Sequence, residues 1–227
     1  MNGPTVTTEL TPRIWIKNPL AILAEGAQGG IVVQGTRIAE LVPTGGSPSV
    51  QCDEIFDASN HVVIPGLVNT HHHFFQNLTR AHPRALNKPL FPWLAALYPV
   101  WDRMTPHAFR LATRMAYAEL LLSGCTTAVD HHYLFPRGLE SSVDIQVQEA
   151  MALGIRTVVT RGSMSDQDGG VTPANLVQSE DEILTDSERV LQRYHDTASG
   201  AMDAPMHCQA ALDVRLAWFS RSVLRVR

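Results

Sequence analysis

The run Val62-Val63-Ile64-Pro65-Gly66-Leu67-Val68-Asn69-Thr70 ends in three consecutive histidines, His71, His72 and His73. Its apolar part is continuous rather than alternating, which reads as a β-strand covered on both faces, as in a parallel sheet flanked by helices. Strand side chains alternate between faces, so His71 and His73 share one side and His72 takes the other. Two imidazoles therefore converge at the carboxyl end of a buried strand, where barrels of parallel strands and outer helices gather their catalytic groups. A lone histidine in that position is most often packing or surface. A His-x-His pair there points to a metal.

The text on either side has two textures. Arg13-Ile14-Trp15-Ile16-Lys17-Asn18, Gly30-Ile31-Val32-Val33-Gln34-Gly35 and Arg37-Ile38-Ala39-Glu40-Leu41-Val42 are short β-rich runs punctuated by glycine, like a meander. They predict a small β domain over residues 1–61. After the histidines the chain alternates. Thr105-Pro106 opens a helix with a capping hydroxyl and a proline in the first turn, and the stripe Phe109, Ala112, Met115, Ala116, Glu119, Leu120 stops at Gly124. Strands are expected at 126–133 and 155–161 with a helix over 142–153 between them, the alternation of parallel βαβ units. Ser179-Glu180-Asp181-Glu182 is a capping box that opens a further helix to about residue 194. The fold class is α/β.

Composition excludes several functions. With 18% charged residues, a formal net charge of −4 and no basic stripe, the chain lacks the electrostatic footprint of a nucleic-acid binder. No apolar run approaches the roughly eighteen residues of a membrane span, and the amino terminus lacks the charged and apolar regions of a signal peptide. A cytoplasmic location is expected. Cys52, Cys125 and Cys208 are odd in number and far apart, which argues against a disulfide framework or a cysteine zinc site. Cys125 reads as a small buried residue rather than a nucleophile. The H-x-E with P-C-x-x-C, H-E-x-x-H and G-x-S-x-G signatures are absent.

Pro65-Gly66-Leu67-Val68-Asn69-Thr70-His71-His72-His73 resembles the first barrel strand of the amidohydrolase superfamily. Phe74-Phe75-Gln76-Asn77-Leu78-Thr79-Arg80, Lys88-Pro89-Leu90-Phe91-Pro92-Trp93-Leu94 and Gly124-Cys125-Thr126-Thr127-Ala128-Val129-Asp130-His131-His132-Tyr133 resemble the 8-oxoguanine deaminases more narrowly. These are related to the guanine, adenosylhomocysteine and hydroxytriazine deaminases, and the resemblance covers residues 12–202. It implies an amidohydrolase-type (β/α) TIM-like barrel with an appended N-terminal β domain. It also implies one catalytic Zn2+ held in part by His71 and His73, and a small purine-like substrate. In that family zinc makes hydroxide available near neutral pH. Water replaces ammonia at C2 of 8-oxoguanine and urate is the product.

A complete barrel needs about 250 residues, and residues 62–227 amount to roughly two-thirds of that. The barrel is therefore expected to be truncated. The family's other ligands, histidines after the fifth and sixth strands and an aspartate after the eighth, are expected past the terminus, with the glutamate that moves the proton. No catalytic residue is assigned within the chain. The family pairs its N-terminal strands with strands from the far carboxyl end, so the small β domain is expected to expose an edge. The barrel part is expected over 62–202 and an atypical basic tail over 203–227. That tail carries Arg215, Arg221, Arg225 and Arg227 where a fourth strand belongs, and is read as a changed reading frame.

Candidate substrate contacts are Gln76, Trp93 and Arg161. Gln76 offers the donor and acceptor that a purine edge requires, or is a surface glutamine. Trp93 stands where related deaminases place an aromatic wall, or is packed in the core. Arg161 ends a strand at the barrel mouth, where it meets a purine oxygen or forms a structural ion pair. His131 and His132 follow the second strand, and one of them is expected to face the cavity as a substrate contact or a support for the ligands, with His132 taken for that support, or to be structural. The loop 165–170 reads as a lid or a plain turn. The rivals to an 8-oxoguanine deaminase are a hydroxytriazine or guanine aminohydrolase, and an inactive metal-binding fragment. A homo-oligomer is compatible with each.

Overall fold

The computed structural model describes residues 11–165 and 172–194 and the backbone of Cys208–Ala211. The chain divides into two compact units, residues 1–65 and 66–227. The sequence reading put the boundary four residues earlier, before Val62.

In the first unit the strands are β1 (Arg13–Lys17), β2 (Ala21–Ile22), β3 (Gly30–Gln34), β4 (Arg37–Val42), β5 (Glu54–Asp57) and β6 (Val62–Val63). The main sheet runs β4-β3-β1-β5, with β3 antiparallel to both β1 and β4, and β5 parallel to β1. Trp15, Val32 and Val42 form its small core, and the Trp15 indole donates to the Gly29 carbonyl at 3.3 Å. Gly30 is required here. At φ +115° a Cβ would stand 1.9 Å from the Ile16 carbonyl oxygen. Both edge strands carry exposed apolar side chains, Ile38 and Leu41 on β4, Ile55 and Phe56 on β5.

The expected uninterrupted strand from Val62 to the histidines is not observed. Val62–Val63 pairs with Ala21–Ile22 in the first unit, and a new strand, β7 (Leu67–His72), begins the second. Pro65 cannot donate to a sheet ladder, and a Cβ on Gly66 would stand 2.2 Å from the Thr126 side chain, so the chain changes sheets at this pair. Neither stretch is covered on both faces: Val62, Ile64, Leu67 and Val68 are all exposed. Among the described residues β7 is an edge strand.

The second unit continues with α1 (Leu90–Trp101), α2 (Pro106–Leu122), β8 (Cys125–Asp130), α3 (Ser142–Leu153), β9 (Arg156–Thr160), α4 (Glu180–Tyr194) and β10 (Cys208–Ala211). Its four strands are parallel in the order β7-β8-β9-β10. Strand order follows chain order without reversal, as in a (β/α) barrel and unlike a doubly wound sheet. The Thr105 hydroxyl accepts from the Ala108 amide at 3.2 Å to start α2. Ser179 and Glu182 close their capping box around the start of α4. On α2 the buried stripe is Phe109, Ala112, Thr113, Ala116 and Tyr117, and Met115 lies outside it, exposed.

Two elements differ from expectation. From the sequence, no element is assigned to the stretch of α1, which contains Pro92 and Pro99. Pro92 falls in the first turn, where the missing amide has no intrahelical partner to lose. The sequence reading also expected no fourth strand after Met202, yet the backbone of Cys208–Ala211 pairs with β9, Cys208 opposite Thr157 and Ala211 opposite Thr160. A sheet edge recruits backbone, whatever the side-chain pattern of the segment. The remainder of the basic tail, His195 and the loop 166–171 lie outside the described residues. Among the described residues no helix is long and apolar enough to cross a membrane.

Candidate metal and substrate site

Because β7, β8 and β9 are parallel, their carboxyl ends lie at one edge of the sheet. His71 to His73 end the first, His131 and His132 follow the second, and Arg161 follows the third. The His71 and His73 rings meet edge to face with centroids 5.0 Å apart, while His72 turns to the other side and packs on Phe74. Alternation at the strand end thus produces the convergent pair.

The His73 Nδ1 atom lies 2.7 Å from the His131 carbonyl oxygen. A carbonyl only accepts, so Nδ1 carries the hydrogen and the lone pair is left on Nε2. Burial pulls the His73 pKa down to about 4, against the opposing pull of that hydrogen bond. The ring is neutral at pH 7, the form a metal ligand needs.

Immediately after His73, the Phe74 amide donates to Asp130 Oδ1 at 2.8 Å. Gln146 donates to the other carboxylate oxygen. Asp130 is fully buried, and burial raises its pKa to about 7 against both hydrogen bonds. Its role went unread in the sequence, where it is one acid among polar neighbours at the end of Thr126-Thr127-Ala128-Val129.

Gln76 is half-buried on the 3-10 turn Phe74–Thr79 and hydrogen-bonds to the Tyr133 side chain. Tyr133 also bonds to Tyr98, its ring stands 5.6 Å from that of His73, and burial raises its pKa well above the ordinary value. It is a protonated hydroxyl in contact with both His73 and Gln76, and it is not singled out by the sequence reading. Trp93 is half-buried on α1. Its ring lies 5.4 Å from Trp101, which meets Phe75 at 5.0 Å, and Phe75 meets His73 at 6.2 Å. A run of aromatic rings thus links Trp93 to the histidines.

The other two candidates lie elsewhere. Arg161 is buried, with Nε on Asp186 at 2.8 Å, Nη2 on Gln178 at 2.9 Å, Nη1 on the Gly162 carbonyl, and its guanidinium over the Phe135 ring. This is the structural ion pair left open beside the substrate role. His132 is enclosed by Phe75, Phe109 and Phe135 and bonds to Ser142 Oγ at 2.8 Å. The residue in contact with both His71 and His73 is its neighbour, His131. One step along a strand changes face, and two adjacent histidines give the sequence no means of choosing.

The imidazoles of His71 and His73, the second of them neutral, fit a zinc ion, which takes nitrogen ligands at about 2.0–2.1 Å. They fill part of a tetrahedral set. Among the described residues no group of three or more histidine, cysteine, aspartate or glutamate side chains is placed to hold a metal.

Residues 62–212 match the amidohydrolase family. The chain is 58% identical over 194 residues to the 8-oxoguanine deaminase of Pseudomonas aeruginosa, covering 83% of this chain and 43% of that protein. It is 34% identical over 179 residues to the hydroxydechloroatrazine ethylaminohydrolase of Pseudomonas sp. strain ADP, covering 77% and 37%. Among solved structures, the atrazine chlorohydrolase of Arthrobacter aurescens TC1, a zinc complex, superposes with a TM-score of 0.74 at 24% identity over 88% of this chain and 46% of that one. The chain therefore spans less than half the length of each of these relatives.

Proposed function

Because this chain belongs to the amidohydrolase family, we propose that it supplies His71 and His73 as the first two zinc ligands of a hydrolytic deaminase converting 8-oxoguanine to urate and ammonia. The observation that carries the chemistry is the His73 ring, neutral and with its Nδ1 hydrogen held by the His131 carbonyl, edge-on to His71 at the carboxyl end of a barrel strand. The choice of substrate rests on the 8-oxoguanine deaminase relative.

Zinc bound by such a pair supplies Lewis acidity and an acidified water near neutral pH. In the reaction a C2–O bond forms and the C2–N bond breaks, one proton from water leaving with the amino group as ammonia and the other passing to the purine ring. Within this chain, Gln76 and the protonated Tyr133 offer an amide and a hydroxyl beside the metal pair to the purine edge. Trp93 contributes the outer aromatic wall. Arg161 reaches a purine oxygen only by giving up Gln178 or Asp186. No proton-transfer group is assigned among the described residues, and the proposal takes that group, with the remaining ligands, from outside them. The same reading takes residues 1–61 as an appended β domain and 62–202 as the first half of the barrel. It places the protein in the cytoplasm and is compatible with a homo-oligomer.

Ammonia release from 8-oxoguanine, guanine and a hydroxytriazine, compared at equal concentration in zinc-supplied protein, tests this reading. Urate from 8-oxoguanine at the highest kcat/KM is expected. Faster turnover of the triazine or of guanine would reassign the substrate, and zinc-loaded protein inert towards all three would favour the metal-binding fragment.

A further inference from the structure

We infer that His131 is a positioning residue that holds the whole ligand segment of β7, its ring serving His71 and its backbone serving His73. This rests on the reading of His71 and His73 as zinc ligands. Four successive residues meet His131. Its Nε2 lies 3.2 Å from the Thr70 carbonyl oxygen, its ring stacks on His71 with centroids 4.4 Å apart and planes at 23°, its amide donates to the His72 carbonyl at 2.8 Å, and its own carbonyl accepts from His73 Nδ1 at 2.7 Å.

The Thr70 carbonyl can only accept, so Nε2 of His131 carries a hydrogen and holds no free lone pair. That bond gives its ring a fixed orientation. A ring so tethered presents a flat face to His71, which is exposed on the edge strand and is supported from that side by the stack. His73 takes its hydrogen bond from the His131 backbone, and the two rings meet only edge to face with centroids 6.1 Å apart. The two halves of the clamp are separable, because a side-chain substitution removes the ring and leaves the carbonyl. Partners that orient a metal-binding imidazole are worth about 10–100-fold in metal affinity.

The test uses the 227-residue chain with 15N-labelled histidine, and begins by confirming that zinc binding depends on His71 and His73. In His131→Ala the His73 ring is expected to keep its Nδ1–H tautomer and the His71 ring signals to move as the stack is lost. Zinc affinity is expected to fall about tenfold. His131→Phe keeps a flat ring without the Thr70 bond and is expected to recover most of that affinity, which general damage to the strand end would not allow. Unchanged zinc affinity in His131→Ala overturns the inference, as does loss of the His73 tautomer in that variant. Zinc binding by the parent chain that ignores His71 and His73 removes the site reading itself, and the inference with it.

Discussion

Arg161→Ala is expected to lower the unfolding free energy by about 3 kcal/mol, the low end of the cost of removing one partner from a buried ion pair, because Asp186 keeps Arg189 at 2.8 Å. The Arg161 side chain is only 2% exposed and Asp186 17%, so the carboxylate left behind has little water to turn to. The substitution also strands Gln178 and empties the space over the Phe135 ring. Arg161→Met retains the bulk and is expected to recover part of the loss, the rest reflecting the lost charge pairing of Asp186, which keeps only Arg189 at 2.8 Å. Urea unfolding of the three proteins reads this directly. A full-strength fold in Arg161→Ala, with turnover of 8-oxoguanine lost instead, would mean that the arginine serves the substrate and not the junction of β9 with α4.

The second large effect is in the pH dependence of stability, where two buried groups pull in opposite directions. Burial lowers the His132 pKa to about 3 from an unfolded value of 6.5. Between those values the unfolded chain binds more protons, so the stability His132 contributes is full above about pH 6.5 and is lost as pH falls. Over the whole window this amounts to several kcal/mol on the order of the linkage relation. Asp130 behaves oppositely. Its pKa rises to about 7 from 3.8, so the folded chain holds the extra proton, and stability is lost as pH rises through that window. His132→Phe is therefore expected to flatten the loss of stability on acidification between about pH 7 and 4, and Asp130→Asn to steepen it. Both signs are read from urea midpoints across that range. Parallel curves for the two variants and the parent would contradict the burial of these groups.

What the sequence disclosed was local or periodic. Capping chemistry at Thr105 and Ser179 lies within one helical turn and depends on nothing distant, and both caps form. The His-x-His pair needs only the two-residue repeat of a strand, and the rings converge. The misses required knowledge of a partner. Val62 to Thr70 looks like one strand until Pro65 and Gly66 are given two different sheets to join. Nothing local distinguishes His131 from His132, because which one faces His71 depends on how β8 leaves the sheet. Arg161 at a barrel mouth suits a purine oxygen or an aspartate equally well. The choice of Asp186 was made by a helix about 25 residues onward. Tyr133 and Asp130 acquire meaning only from burial next to the histidines that end β7, which no pattern in their own neighbourhood records.

The most direct test of the metal site is a zinc titration of the 227-residue chain against a His71→Ala, His73→Ala double variant, with unfolding curves to confirm that both are folded. Saturable binding of one ion by the parent and a loss of about a hundredfold or more in affinity in the double variant is the predicted result. Equal zinc affinity in the two proteins would contradict it, and the histidines at the end of β7 would then be packing and surface residues rather than the beginning of a catalytic centre.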